Sequence, residues 1–148
     1  MSMWQNGNNP QPYTLASACV AWTPGKVLAD NRATPCDAGE GCRGIFNATR
    51  DAGEGIGLLN QTAGGTAIMG LAAGPVTPGH ELVIAIGTDD VPKFADIDDA
   101  VNGDIIVGRA VHNLGATEED VADANGTYEP SLAVFLYDEA VQVAAVVA

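Results

Sequence analysis

Gly103-Asp104-Ile105-Ile106-Val107-Gly108-Arg109-Ala110-Val111 decides how this chain is read. Isoleucine and valine crowd between Gly103-Asp104 and Gly108, and Ala110-Val111 resumes the apolar run. β-Branched residues bounded by Gly, Asn and Asp signal short strands with tight turns. Upstream the same signal recurs. Gly74-Pro75-Val76-Thr77-Pro78-Gly79-His80-Glu81 is rich in turn formers, Leu82-Val83-Ile84-Ala85-Ile86 is apolar, and Asp89-Asp90 marks a polar hairpin. Residues 74–111 therefore read as the sheet core of a small β-rich domain that works by binding.

The bulk composition agrees. The chain has 148 residues, enough for one domain with a real core. Apolar residues make up 47% of it but aromatic ones only 5%, so that core is built of small side chains. Eighteen glycines and eight prolines punctuate many short elements. The net charge of −13 repels phosphate, which argues against nucleic acid and against an anionic membrane surface. Such acidity suits solubility, and it suits a salty habitat. No run of about 20 apolar residues is present to form a membrane helix. The start, Met1-Ser2-Met3-Trp4-Gln5-Asn6, lacks the basic and apolar segments of a signal peptide, so synthesis in a host cytoplasm is expected.

Residues 1–14 are polar and read as an extended N-terminal arm, with Trp4 and Tyr13 as aromatic anchors for a partner. Residues 15–148 form a single β-rich domain. Strands are expected at 15–22, 26–29, 45–48, 56–60, 82–86, 92–95, 105–107 and 131–137, and a strand or a short helix at 66–73. One helical turn is expected at 96–101 and another at 117–123, where Thr117 caps a run of acids. Residues 43–48 and 107–113 both set Gly and Arg beside a short apolar pair, a partial echo too short to establish a repeat. The apolar tail, 141–148, is expected to be buried against its own domain or a neighbouring subunit.

Little is arranged for chemistry. His80 and His112 lie in turns, at no recognised metal spacing from Cys, Asp or His. Cys36 and Cys42 either close a small loop as a disulfide or remain reduced thiols, the second being the rule in a cytosol. Gly53-Glu54-Gly55-Ile56-Gly57 lacks the lysine and the hydroxyl of a phosphate loop. Asp123-Ala124-Asn125-Gly126 lacks the ligand order of a calcium loop. The expectation is a non-enzyme without cofactor or metal.

The segment from Pro75 to Tyr137 resembles the capsid decoration, or cement, proteins of tailed phages and related viruses. The likeness rests on Pro75-Val76-Thr77-Pro78-Gly79-His80-Glu81-Leu82, the acidic turn from Ala95 to Asp104, Val107-Gly108-Arg109-Ala110-Val111, Gly115-Ala116-Thr117-Glu118 and Leu132-Ala133-Val134-Phe135-Leu136. It implies a small β-barrel or β-tulip with short helical turns. It implies a homotrimer on the capsid outer surface of the virion, bound to the major capsid protein and holding the shell against internal pressure. The arm would then add to a strand edge of that capsid protein. The alternatives are another virion module, such as a head-fibre base or tail component, or a small metal-binding or hydrolytic domain using Cys36, Cys42 and the histidines.

Overall fold

The computed structural model describes residues 11–60 and 67–147. It is mainly β. The first sheet contains β1 (Gln11–Thr14), β2 (Pro24–Val27), β3 (Ala33–Pro35), β4 (Gly44–Phe46) and β5 (Gly55–Leu59), in the order β1-β5-β4-β2-β3. The second contains β6 (Ile68–Gly70), β7 (Glu81–Ile86), β8 (Pro92–Asp96), β10 (Gly108–Ala110) and β11 (Leu132–Leu136), in the order β6-β11-β10-β7-β8. A two-stranded ribbon pairs β9 (Ile105–Ile106) with β12 (Val143–Ala144).

With the ribbon set aside, the two sheets have one topology: first strand, fifth, fourth, second, third. The registers match as well. Gly44 faces Gly25 as Gly108 faces Leu82, and Phe46 faces Leu58 as Ala110 faces Val134. A parallel bridge joins Leu15 to Ala33 in one half and Ala72 to Phe94 in the other. The connecting bonds repeat too. Arg43 N–H donates to Gly25 O at 2.8 Å, and Val107 N–H to Leu82 O at 2.9 Å. Phe46 N–H donates to Thr23 O at 2.9 Å, and Ala110 N–H to His80 O at 2.9 Å. The chain is thus two copies of one five-strand pattern, and the partial echo in sequence falls on its fourth strand, β4 and β10.

The ladders are open, which corrects the barrel expectation. The single Leu15–Ala33 and Ala72–Phe94 bridges are the only pairing between the ends of each sheet among the described residues. Side-chain alternation places the core. In β4, Ile45 enters the largest apolar cluster with Cys36, Leu82, Ile84, Phe94 and Val134, while Phe46 enters a second cluster with Leu15, Ala33, Ile56 and Leu58. A third, small-residue cluster of Val83, Ala95, Ala100 and Ala145 lies beside the ribbon, with Ile106 packed against it. The halves also touch through the backbone, where Leu71 N–H donates to Trp22 O at 3.0 Å.

Other corrections follow from the same pairing. Residues 15–22 are not a strand. Leu15 and Cys19 each make one isolated bridge, and the first strand is the preceding Gln11–Thr14, the last four residues of the expected arm. The expected helical turn at 96–101 is present as a 3-10 turn, Ile97–Asp99, with Asp96 as its cap. That at 117–123 is absent, because its acids serve other backbones and side chains. Glu119 accepts from Thr88 and Lys93, and Asp120 accepts from Ala72 N–H and Ser131.

Candidate functional site

Of the two expected arm anchors, Trp4 lies outside the described residues. Tyr13 sits in β1 opposite Ile56, packs against the second apolar cluster, and its hydroxyl accepts from Arg43 Nη1 at 3.3 Å. Arg43 is ion-paired to Glu139 near the C-terminus. Tyr13 therefore helps to hold β1 on the sheet. β1 is an edge strand, with β5 on one side.

The C-terminal segment offers a second surface. Val143 and Ala144 pair with Ile106 and Ile105, and Ala145 is buried, but Val141, Val143, Ala144, Val146 and Val147 are exposed. Val141, Val143 and Val146 are 61%, 60% and 92% exposed, and Val101 beside them in the Val101–Asp104 turn is 64% exposed. Gly103 N–H donates to Ala145 O and Val147 N–H to Asn102 Oδ1, which fixes the tail against that turn. Among the described residues of the tail, Ala145 alone is fully buried and Gln142 is half-buried, its side chain bonded to the Cys42 backbone. The exposed valines stand on a chain that carries a large excess of acid.

Cys36 and Cys42, the possible disulfide, are free thiols, as is Cys19, and all three are buried. Contact with the Cys42 thiol, reinforced by burial, pushes the Cys36 thiol well above its ordinary range, and burial pushes up that of Cys19. Protonated thiols are poor nucleophiles and poor metal ligands. Cys19 and Cys36 line a cleft of about 280 Å³ with Thr23, Asp37, Ile86 and Asp90, between the first half and the β7–β8 turn. A shallower one of about 390 Å³ is lined by Ser17, Lys26, Thr34 and Asp37. Lys26 is held there by Glu40 at 2.7 Å.

Two polar clusters escaped sequence reasoning. Lys93 is completely buried, with Nζ 2.9 Å from Asp89 and 2.8 Å from Glu119, and 5.4 Å from the centre of the Tyr128 ring. Tyr128 donates its hydroxyl proton to Asp89. Nothing in the spacing of Lys93 and Glu119 announces the pair, because the fold brings strand β8 against a loop distant in sequence. The second cluster is His80, Asp96 and Asp98. His80 Nδ1 lies 2.9 and 3.1 Å from the two oxygens of Asp96 and 3.7 Å from Asp98 Oδ2. The hydrogen bond that His80 makes to the Asp96 carboxylate raises the His80 pKa against a smaller effect of burial. Burial acts to raise the pKa of Asp96, but the N–H groups of Asp98 and Thr77, with His80, outweigh it and hold the carboxyl below its ordinary range. No cysteine joins this group, so the expected alternative of cysteines and histidines on one metal is not assembled among the described residues.

No protein-family model matches the chain, and no curated protein does. Among solved structures, the N base of the head fibre protein gp8.5 of bacteriophage phi29 shares its fold. The TM-score is 0.52 and the identity 14%, over 87% of this chain and 92% of that one. The fold of most of the chain is thus one that a phage head-fibre base also adopts.

Proposed function

We propose that the chain is a structural protein of a virion, mounted on the outside of an icosahedral head. The observation that supports this most is the fold likeness to the phi29 head-fibre base over almost the whole of both chains. The acidic composition, the exposed Val141, Val143 and Val146, and the polar N-terminal segment with Trp4 fit a protein that works through contacts. In this reading it assembles as a homotrimer and binds the major capsid protein, with residues 1–10 as the capsid-contact arm. Repetition around a symmetric oligomer multiplies weak individual contacts.

Two forms of the role differ in what the bound protein carries. As a decoration protein it clamps the shell, which is what the motifs between Pro75 and Tyr137 imply. As a fibre base it anchors a projection, and the fold likeness favours this second form. The test is cosedimentation of the purified chain with heads built from the capsid protein of the same genome, followed by electron microscopy. Binding to the head exterior is expected, and removal of residues 1–10, which leaves β1 in place, lowers it at least tenfold. Absence of binding by the intact, folded chain overturns the proposal, and undiminished binding by the truncated one overturns the arm. A threefold mass in solution supports the trimer, and a monomer at all concentrations removes it.

A further inference from the structure

We propose that His80, Asp96 and Asp98 form a binding site for a divalent first-row transition ion such as Zn²⁺ or Mn²⁺. The nitrogen and the two carboxylate oxygens all lie within 4.8 Å of one another. Bonds of about 2.0–2.2 Å to one ion hold neighbouring ligand atoms about 3–3.5 Å apart. The Nδ1 to Asp96 distance of 2.9 Å and the Nδ1 to Asp98 distance of 3.7 Å bracket that range, so small side-chain shifts suffice.

The ligands differ in how they are held. The Asp96 side chain is only 5% exposed. Thr77 N–H donates to its Oδ2 at 2.8 Å and Asp98 N–H to its Oδ1 at 2.9 Å, which fixes the carboxylate plane and leaves its remaining lone pairs turned to His80. Such outer bonds orient a ligand before the ion arrives. Asp98, 75% exposed, and His80, 37% exposed, open the site to solvent, so water completes the coordination. Binding displaces the proton from His80 Nδ1: a neutral ring keeps it on Nε2, and an imidazolium ring releases one proton. One imidazole with two carboxylates selects transition ions over Ca²⁺, which prefers oxygen alone.

The repeat supplies the second argument. Matched registers place Thr23 of the first half where His80 stands, and Pro35 where Asp96 stands. Thr23 turns its hydroxyl to Val20 O at 2.6 Å, and Pro35 has no side-chain polar group. The same backbone forms there without the imidazole and the carboxylate. The pair is therefore not something the fold requires at this position, and the second half alone has His80 with Asp96. An ion here ties the turn before β7 to the end of β8.

The full chain, dialysed against chelator, is titrated separately with Zn²⁺, Mn²⁺ and Ca²⁺ by calorimetry, with imidazole nitrogen NMR as a second readout. One equivalent of Zn²⁺ or Mn²⁺ is expected, with Ca²⁺ at least tenfold weaker. Zn²⁺ shifts the His80 ring signals and leaves those of His112 in place. H80T, which installs the first half's residue, abolishes binding, and D98N weakens it at least tenfold, with circular dichroism confirming that both remain folded. If the intact chain takes up no stoichiometric ion, or H80T binds as well as the parent, the site is refuted. Should H80T fail to fold, the NMR titration of the parent decides: unshifted His80 signals at saturation refute it equally.

Discussion

Gly44 and Gly108 occupy one seat in two copies of the same pattern, each pressed against the carbonyl of the neighbouring strand. A Cβ on Gly44 meets Leu59 O at 2.8 Å, and one on Gly108 meets Phe135 O at 2.3 Å. Leu59 and Phe135 are themselves the matching residues of β5 and β11. In both halves a side chain here forces the fourth and fifth strands apart.

Alanine at either glycine is therefore expected to destabilise the fold, by about 1–3 kcal/mol for overpacking of this kind. G108A has the shorter contact, with backbone that has little room to move, and is expected to cost more than G44A. Urea midpoints of the two variants and the parent check the order, and a G108A midpoint equal to the parent's contradicts it.

Replacing Lys93 by Met leaves Asp89 and Glu119 without their buried cation and is expected to cost about 3–5 kcal/mol. The bond from Lys93 holds the Glu119 carboxyl below its ordinary range, against burial. Burial raises the pKa of Asp89, but bonds from Tyr128 and Lys93 outweigh it and keep that carboxyl low as well. Folded values below unfolded ones mean that this contribution is complete above the ordinary values of 3.8 and 4.5 and is lost as pH falls below them. Thermal unfolding from pH 6 to pH 2.5 is expected to show that loss, and K93M to show a shallower one. Tyr128 behaves in the opposite sense. Burial, with its bond to Asp89, pushes it up to about 12 from 10.0, so its contribution is present below pH 10 and lost as pH rises through about 12. Ultraviolet titration of the phenolate reads this directly.

Three buried thiols are expected to be silent to a soluble disulfide reagent at neutral pH and all to react after unfolding. A fast-reacting thiol in the native protein indicates local opening around a buried cysteine. A count of one after unfolding indicates a Cys36–Cys42 bond.

Lysine at Val143 or Val146 changes an exposed side chain and is expected to shift monomer stability by no more than about 0.5 kcal/mol. If these exposed valines are where subunits of the proposed trimer meet, the same substitutions lower the sedimenting mass. Retention of the full oligomer by the V143K/V146K double variant places the contact elsewhere.

The second half was the more legible in sequence. Leu82–Ile86 and Leu132–Leu136 are contiguous runs of apolar residues that declare strands buried on both faces. β1 declares nothing. Its residues, Gln11-Pro12-Tyr13-Thr14, become a strand only because β5 offers a partner edge, with Pro12 tolerated at the margin of the sheet. The repeat was legible only at Gly44 and Gly108, because loops of unequal length separate the matched strands and Ile105–Ile106 is diverted to the ribbon. His80 and Asp96 are sixteen residues apart, a spacing set by the β7–β8 hairpin rather than by any helix or loop motif. Lys93 was hidden because its partner Glu119 lies in a loop beyond that hairpin.

Trp22 holds a φ of 70°, where a bulky side chain is strained, and its counterpart Gly79 holds 85° without strain. Two residues as unlike as these, on one backbone bend, make the chain its own pairwise alignment. Ile45 against Arg109 shows a hydrophobe traded for a cation, Thr23 against His80 a hydroxyl for an imidazole, and Gly44 against Gly108 no trade at all. Each half thus supplies a natural substitution experiment on the other, with the backbone as the constant.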